Sequence, residues 1–172
     1  MKNIILIGFM GVGKGTVARA FAKEYEDFYA IDTDDLIESL ENRKIKKIFE
    51  EDGEAHFRAL ERKTAGWLER SVRNAVISAG GGFYRQPNLH AIGTVVLLES
   101  SFEAILKRIV EHPNARKKLA KRPLFSSPEQ AEALYDEREP AYREVADIVV
   151  NVEGKTPERI AAEIYAHLKA RA

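Results

Sequence analysis

The residues best suited to chemistry lie at the start of the chain. The stretch GFMGVGKGT runs from Gly8 to Thr16. Its spacing follows the phosphate-binding pattern G-x-x-x-x-G-K-[ST] up to the last position, where Gly15 replaces the hydroxyl residue and Thr16 comes one place later. Glycines at 8, 11, 13 and 15 are expected to take positive φ and bring backbone N–H groups close to an anion. A helix opening near Lys14 adds the partial positive charge of its N-terminus, and the Lys14 ammonium is expected to reach the β- and γ-phosphates of a nucleotide. Gly11, Val12, Gly13, Lys14, Gly15 and Thr16 are therefore the expected nucleotide contacts. With no hydroxyl at residue 15, either Thr16 ligates magnesium or water takes that place. A glycine-rich turn with a stray lysine is the plainer reading, and the apolar run before the loop and helical pattern after it argue against that.

A second chemical feature is AIDTDD, Ala30 to Asp35. Carboxylates at the C-terminal end of a parallel strand face the crevice where α/β sheets bind ligands. Asp32 and Asp34, two residues apart, share a side if the strand continues. One is suited to holding Mg²⁺ through water, the other to accepting a proton from an attacking hydroxyl. Asp35 reads as the cap of the following helix. In FEEDGEAHFRALE, Glu54 and Glu61 lie four before and three after Arg58, on one helical face. This is either a surface ion pair worth little or a guanidinium held by Glu61 so that it grips a carboxylate bidentately. Gly80, Gly81 and Gly82 follow the third apolar run and offer bare backbone to a close-fitting substrate. Arg138 lies one turn before Tyr142 and, taken alone, reads as a solvated helix arginine.

From His112 to Pro128 the chain carries Arg116, Lys117, Lys118, Lys121 and Arg122 and no acidic residue. Without interleaved aromatics this suits a nucleic-acid surface poorly. It suits a lid that closes over ATP and brings Arg122 to the transferring phosphoryl group. The four histidines, 56, 90, 112 and 167, show no metal-ligand spacing. Trp67 is in phase with apolar neighbours and reads as core.

These residues need a scaffold, and the apolar pattern describes one. Short runs at 4–7, 28–31, 75–78, 95–98 and 148–152 have the composition of buried parallel strands. Amphipathic segments at 16–25, 54–72, 102–110 and 157–168 alternate with them. Strand–helix alternation implies right-handed crossovers and a layered α/β fold. The 172 residues suit a single domain. Zero net charge gives no global attraction to nucleic acid or an anionic membrane. The absence of cysteine excludes disulfides and thiol catalysis and suits the cytoplasm. The apolar start is too short for a signal peptide or a membrane span.

In order, GFMGVGK, DTD, IFEEDGEAHFR, GGG, KRPLF and REPAYREVAD resemble the marks of the shikimate kinase family, across nearly the whole chain. The resemblance implies a three-layer P-loop kinase fold, with a five-stranded parallel sheet and helices on both faces. It also implies a substrate-binding segment at about 32–61 and a lid at about 112–126. It implies transfer of the ATP γ-phosphoryl group to the 3-hydroxyl of shikimate, with Mg²⁺, in aromatic amino-acid biosynthesis. On this likeness Asp34 contacts the hydroxyl, Arg58 and Arg138 hold the carboxylate, and Gly80, Gly81 and Gly82 line the ring. Lys14 and Arg122 hold phosphate, Asp32 acts on the metal through water, and Arg116 with Pro157 sandwiches adenine. The family's usual Ser or Thr is Gly15 here. A monomeric cytoplasmic enzyme with no nucleic-acid or membrane partner is expected. Two other readings stand beside it: another small-molecule or nucleoside monophosphate kinase, which the G-K-G-T spelling also suits, and an ATP-binding module without catalysis.

Overall fold

The computed structural model describes residues 2–114, 117 and 127–171. Five parallel strands form one sheet: β1 (Asn3–Ile7), β2 (Tyr29–Asp32), β3 (Ala75–Ser78), β4 (Gly93–Glu99) and β5 (Ile148–Asn151), in the order β2-β3-β1-β4-β5. Ile5 faces Ile77 on one side and Val95 on the other. β1 and β3 are buried at every position, which is why they read as unbroken apolar runs rather than alternating ones. Of the two polar exceptions, Ser78 and Asn3, Asn3 opens the central strand. Its amide donates to Val72 O and Ile92 O and accepts from Ala75 N, fastening the start of the central strand to both neighbours.

The helices are α1 (Lys14–Glu24), α2 (Thr33–Glu41), α3 (Ile45–Ser71), α4 (Leu89–Ile92), α5 (Phe102–Val110), α6 (Pro128–Val145) and α7 (Pro157–Ala170), with a 3₁₀ turn at Phe83–Arg85. α1 and α7 pack together through Phe21, Tyr25 and Tyr165, the last two stacked at 4.0 Å. Thr156 caps α7 and Ser101 caps α5.

Several boundaries differ from the sequence expectation. The second strand starts at Tyr29 rather than Phe28 and ends on Asp32. α1 begins at Lys14 because Gly13, at φ 104°, ends the loop there. α3 is two helical stretches merged across Gly53, which has φ 82° and ψ 175°. Ile48, before this kink, packs with Ile37 of α2 and with Phe57 and Leu60 beyond the kink in a small apolar cluster apart from the main core. Trp67 is not core: it is 42% exposed. Leu60, Thr64, Ala65 and Leu68 take the buried stripe of the helix, and Trp67 lies beside that stripe rather than on it.

Candidate active site

The loop after β1 supplies the first wall. Gly8, Gly11 and Gly13 have φ of 138°, 85° and 104°. The expectation of positive φ fails at Gly15, which lies inside α1 with ordinary helical geometry. Glycine at 11 is also a matter of space. A Cβ there would sit 2.6 Å from Ile109 Cδ1, so α5 presses directly on the loop. The Lys14 ammonium donates to Gly8 O at 2.7 Å and Phe9 O at 3.3 Å, which holds it over the loop.

The second wall comes from the end of β2. Asp32 is the last strand residue, and its Oδ1 accepts from the backbone N–H of Asp34 and Asp35. Asp32 is therefore the cap of α2, and the assignment of that role to Asp35 is corrected. The carboxylate falls where the strand hands over to the helix, where unpaired N–H groups need an acceptor. The strand does not continue to Asp34, which occupies the first turn of α2 instead. Among the described residues, Asp32 Oδ2 keeps no hydrogen bond, which leaves it for a hydrated cation. Asp34 is pushed up to about 7, first by burial, then by the nearby charges of Asp32 and Glu61, with Lys14 opposing. A carboxylate poised near neutrality is what a general base requires.

The glycine triplet joins these walls to the arginines. None of Gly80, Gly81 and Gly82 has positive φ; what they supply is space. A Cβ on Gly80 would lie 2.5 Å from Asp34 Oδ1, and one on Gly81 2.7 Å from Arg138 Nη1. At Gly82 it would collide with Arg58 Nη1. Three consecutive backbone positions thus receive one carboxylate and two guanidinium groups, from α2, α6 and α3. The triplet first accommodates the protein's own charged side chains, where the sequence suggested substrate alone. Thr33 Oγ1 accepts from Gly80 N at 2.9 Å, tying the triplet to α2.

Each arginine is held from behind. Arg58 Nη1 donates to Glu61 at 2.6 Å, and Nε and Nη2 donate to Glu54. Glu61 is 1% exposed, so this is a fixed pair rather than a loose surface one. Arg138 hydrogen-bonds toward the Tyr142 hydroxyl, which donates to Gly81 O at 2.9 Å. Burial pushes Tyr142 up to about 12, so it stays a donor. Arg138 Nε is buried without a partner among the described residues. Arg138 is therefore not the solvated arginine that its local sequence suggests.

Two adjoining clefts result. One, of about 330 Å³, is lined by the loop, Asp32, Asp34, Ser78, Gly80 and Arg108 among others. The other, of about 340 Å³, includes Arg58, Glu54, Gly82 and Arg85. Arg108 is the residue that sequence reasoning missed. Its guanidinium fills the space over Gly13, 2.5 Å from where a Cβ would be, and Nη1 donates to Val12 O at 3.1 Å. Burial pulls its pKa down. Its signal was indirect: a cation one residue before Ile109, on the face of α5 that meets the loop.

Val12 is buried and enters the site through its carbonyl. Thr16 lines the first cleft from the opening turn of α1. Pro157 opens α7 and is not among the residues lining either cleft. Arg116 and Arg122, with most of the expected lid, lie outside the described residues. His56 does approach two carboxylates, Glu41 and Asp52, which its sequence spacing did not suggest. Arg43 donates to both of them and to Glu51, so they are already paired.

The comparisons with known proteins agree with this geometry. The shikimate kinase family model matches residues 10–169. A shikimate kinase of Helicobacter hepaticus is 41% identical over 151 residues, 88% of this chain and 87% of that protein. One from a Sulfurihydrogenibium species is 39% identical over 178 aligned positions, covering 99% of this chain and all of that one. Among solved structures, the shikimate kinase of Acinetobacter baumannii in complex with shikimate superposes with a TM-score of 0.85 at 30% identity, over 99% of this chain and 94% of that one. The Aquifex aeolicus enzyme gives 0.78 at 35% identity, over 98% and 97%. With the matched span running from the phosphate loop to the last helix, the chain belongs to the shikimate kinase family of ATP-dependent phosphotransferases.

Proposed function

We propose that this site transfers the γ-phosphoryl group of ATP to the 3-hydroxyl of shikimate. The observation that carries this reading is the triplet Gly80–Gly82, which receives Asp34, Arg138 and Arg58 at successive residues. Cα atoms two residues apart are at most about 7 Å from each other. A hydroxylated ring bearing one carboxylate spans a similar distance, with its hydroxyl toward Asp34 and its carboxylate toward the arginines. Likeness to a relative solved with shikimate supports the same substrate.

In this reading Lys14 and the loop amides hold the β- and γ-phosphates in the first cleft, and Arg108 adds a second cation there. Asp34 accepts the hydroxyl proton as the oxygen attacks the γ-phosphorus, and ADP leaves. Arg122 meets the transferring group, and Arg116 and Pro157 hold adenine. Asp32 would hold a magnesium ion through water, and the ion would supply neutralisation of the charge that develops on the phosphates. The donor set fits such a hydrated ion, since Asp32 offers one oxygen, Gly15 offers none, and Thr16 stands one residue along. The substrate segment is 32–61 and the lid 112–126 of a monomeric cytoplasmic enzyme. No helix of the described residues is long and apolar enough to cross a membrane. The deciding experiment is coupled ADP release with and without shikimate. ATP consumption that ignores shikimate, or responds only to nucleoside monophosphates, rejects this substrate.

Two further outcomes follow. Arg58→Ala and Arg138→Ala should each raise the KM for shikimate by a factor corresponding to about 2–3 kcal/mol, leaving the KM for ATP nearly unchanged. Lysine at either position should recover little, lacking the planar fork. Unaltered shikimate kinetics in both alanine variants removes the clamp. Gly15→Ser should lower the magnesium concentration needed for half-maximal turnover. The side chain fits, because a Cβ there meets nothing closer than 3.4 Å. A magnesium titration that matches wild type would show that residue 15 does not face the metal.

A further inference from the structure

We propose that Arg19 is a phosphate-facing cation that takes over part of the charge neutralisation left to the metal in other phosphate loops. This deepens the reading above and rests on nucleotide binding in the first cleft. Arg19 follows Gly15 by four residues in α1. Side chains on a helix lean back toward its N-terminus, so residue 19 overlies residue 15. An atom at the Gly15 Cβ position would lie 3.4 Å from Arg19 Nη1 and 3.8 Å from Ser78 Oγ. The room that a hydroxyl side chain at residue 15 would use therefore opens beside a guanidinium.

Arg19 lines the same cleft as Lys14, Thr16, Asp32 and Asp34. Its guanidinium has no hydrogen bond or ion pair among the described residues, although three carboxylates, Asp32, Asp34 and Asp35, lie nearby and its charge is felt at Asp35. A solvated arginine needs neither this cleft nor the bare backbone beneath it. A guanidinium is always charged and offers a planar pair of donors that match two phosphate oxygens. It also repels a divalent cation at close range. Arg19 and magnesium therefore share one group of phosphate oxygens, and nucleotide binding here depends less on metal than it would with a hydroxyl at residue 15 and no arginine above it.

The test is calorimetric titration of ADP into wild type, Arg19→Ala, Arg19→Gln and Arg19→Lys. Each is run once with excess EDTA and once with saturating MgCl₂. The expected result is a loss of about 10-fold or more in metal-free affinity for Arg19→Ala and Arg19→Gln, with a much smaller loss in magnesium. Arg19→Lys should recover most of the metal-free affinity. Arg19 is exposed, so its loss should leave the fold intact, and Arg19→Gln retains most of the stem should the alanine variant melt early. Equal losses with and without metal, or no loss, overturn the proposal while leaving nucleotide binding intact. Failure of wild type to bind ADP under both conditions rejects the nucleotide site itself.

Discussion

Lys14→Ala should lower kcat/KM by about 10³-fold or more, the largest effect of any single substitution in the first cleft. Within the loop itself, Lys14 is the only residue from Gly8 to Thr16 with a full positive charge. Gly8, Gly11 and Gly13 shape the backbone, and their amides carry partial charge alone. Arg108 and Arg19 approach the loop from α5 and from the next turn of α1, but neither occupies the position over Gly8 and Phe9 where the ammonium lies. Lys14→Arg tests geometry separately from charge. A wider, planar group should not fit the same place over two carbonyls, so activity should stay low. The fold should survive both changes, because Lys14 is partly exposed and donates to loop carbonyls rather than to core groups. An alanine variant within tenfold of wild-type kcat/KM would move the phosphate grip to the arginines.

Asp34→Asn should lower kcat by about 10²-fold or more and, unlike most changes at a buried polar group, raise thermal stability at alkaline pH. The sign follows from linkage. Burial places the folded-state pKa at about 7, above the ordinary carboxylate value of 3.8. The folded protein then binds a proton that the unfolded chain has released, between those two values. Wild-type stability from this group is therefore greatest at acid pH and is lost as pH rises toward 7 and beyond. Asparagine carries no charge to bury, so the gain in Tm over wild type should be large at pH 8 and small at pH 4. Glu139 is also pushed up to about 7, by burial and by Glu99, but it is present in both proteins and its share cancels in the difference. In wild type, kcat/KM should rise with pH through about 7, as the base form of Asp34 appears. An Asn variant with near-normal kcat would leave Asp34 a structural residue, and an unchanged Tm difference across pH would show that it is not buried as a charge.

The phosphate loop, the alternation of strand and helix, and the identity of most candidate groups are legible in the residues alone. These are local properties. A loop motif is contiguous, and β1 and β3 are apolar but for Asn3 and Ser78 because both faces are covered, so each can be read without its neighbours. The i, i+3 and i, i+4 spacing of Glu54, Arg58 and Glu61 likewise fixes a shared helical face before any tertiary contact. What those groups face follows only from the packing of distant segments. Asp34 lies against Gly80, Arg138 against Gly81 and Arg58 against Gly82, across sequence separations of 46, 57 and 24 residues. No local pattern encodes which of three glycines meets which side chain. Trp67 went the other way: its spacing looked apolar-facing, but the width of the buried stripe on α3 left it half in solvent. Arg108 was invisible for the same reason, since nothing in its own helix announces that α5 presses on the loop. Asp32 and Asp35 differ by three residues, and the exact place where β2 hands over to α2 settles which one caps. That handover is set by pairing with β3, where Asp32 sits opposite Ser78, and a register between strands is a property of the assembled sheet rather than of either strand alone.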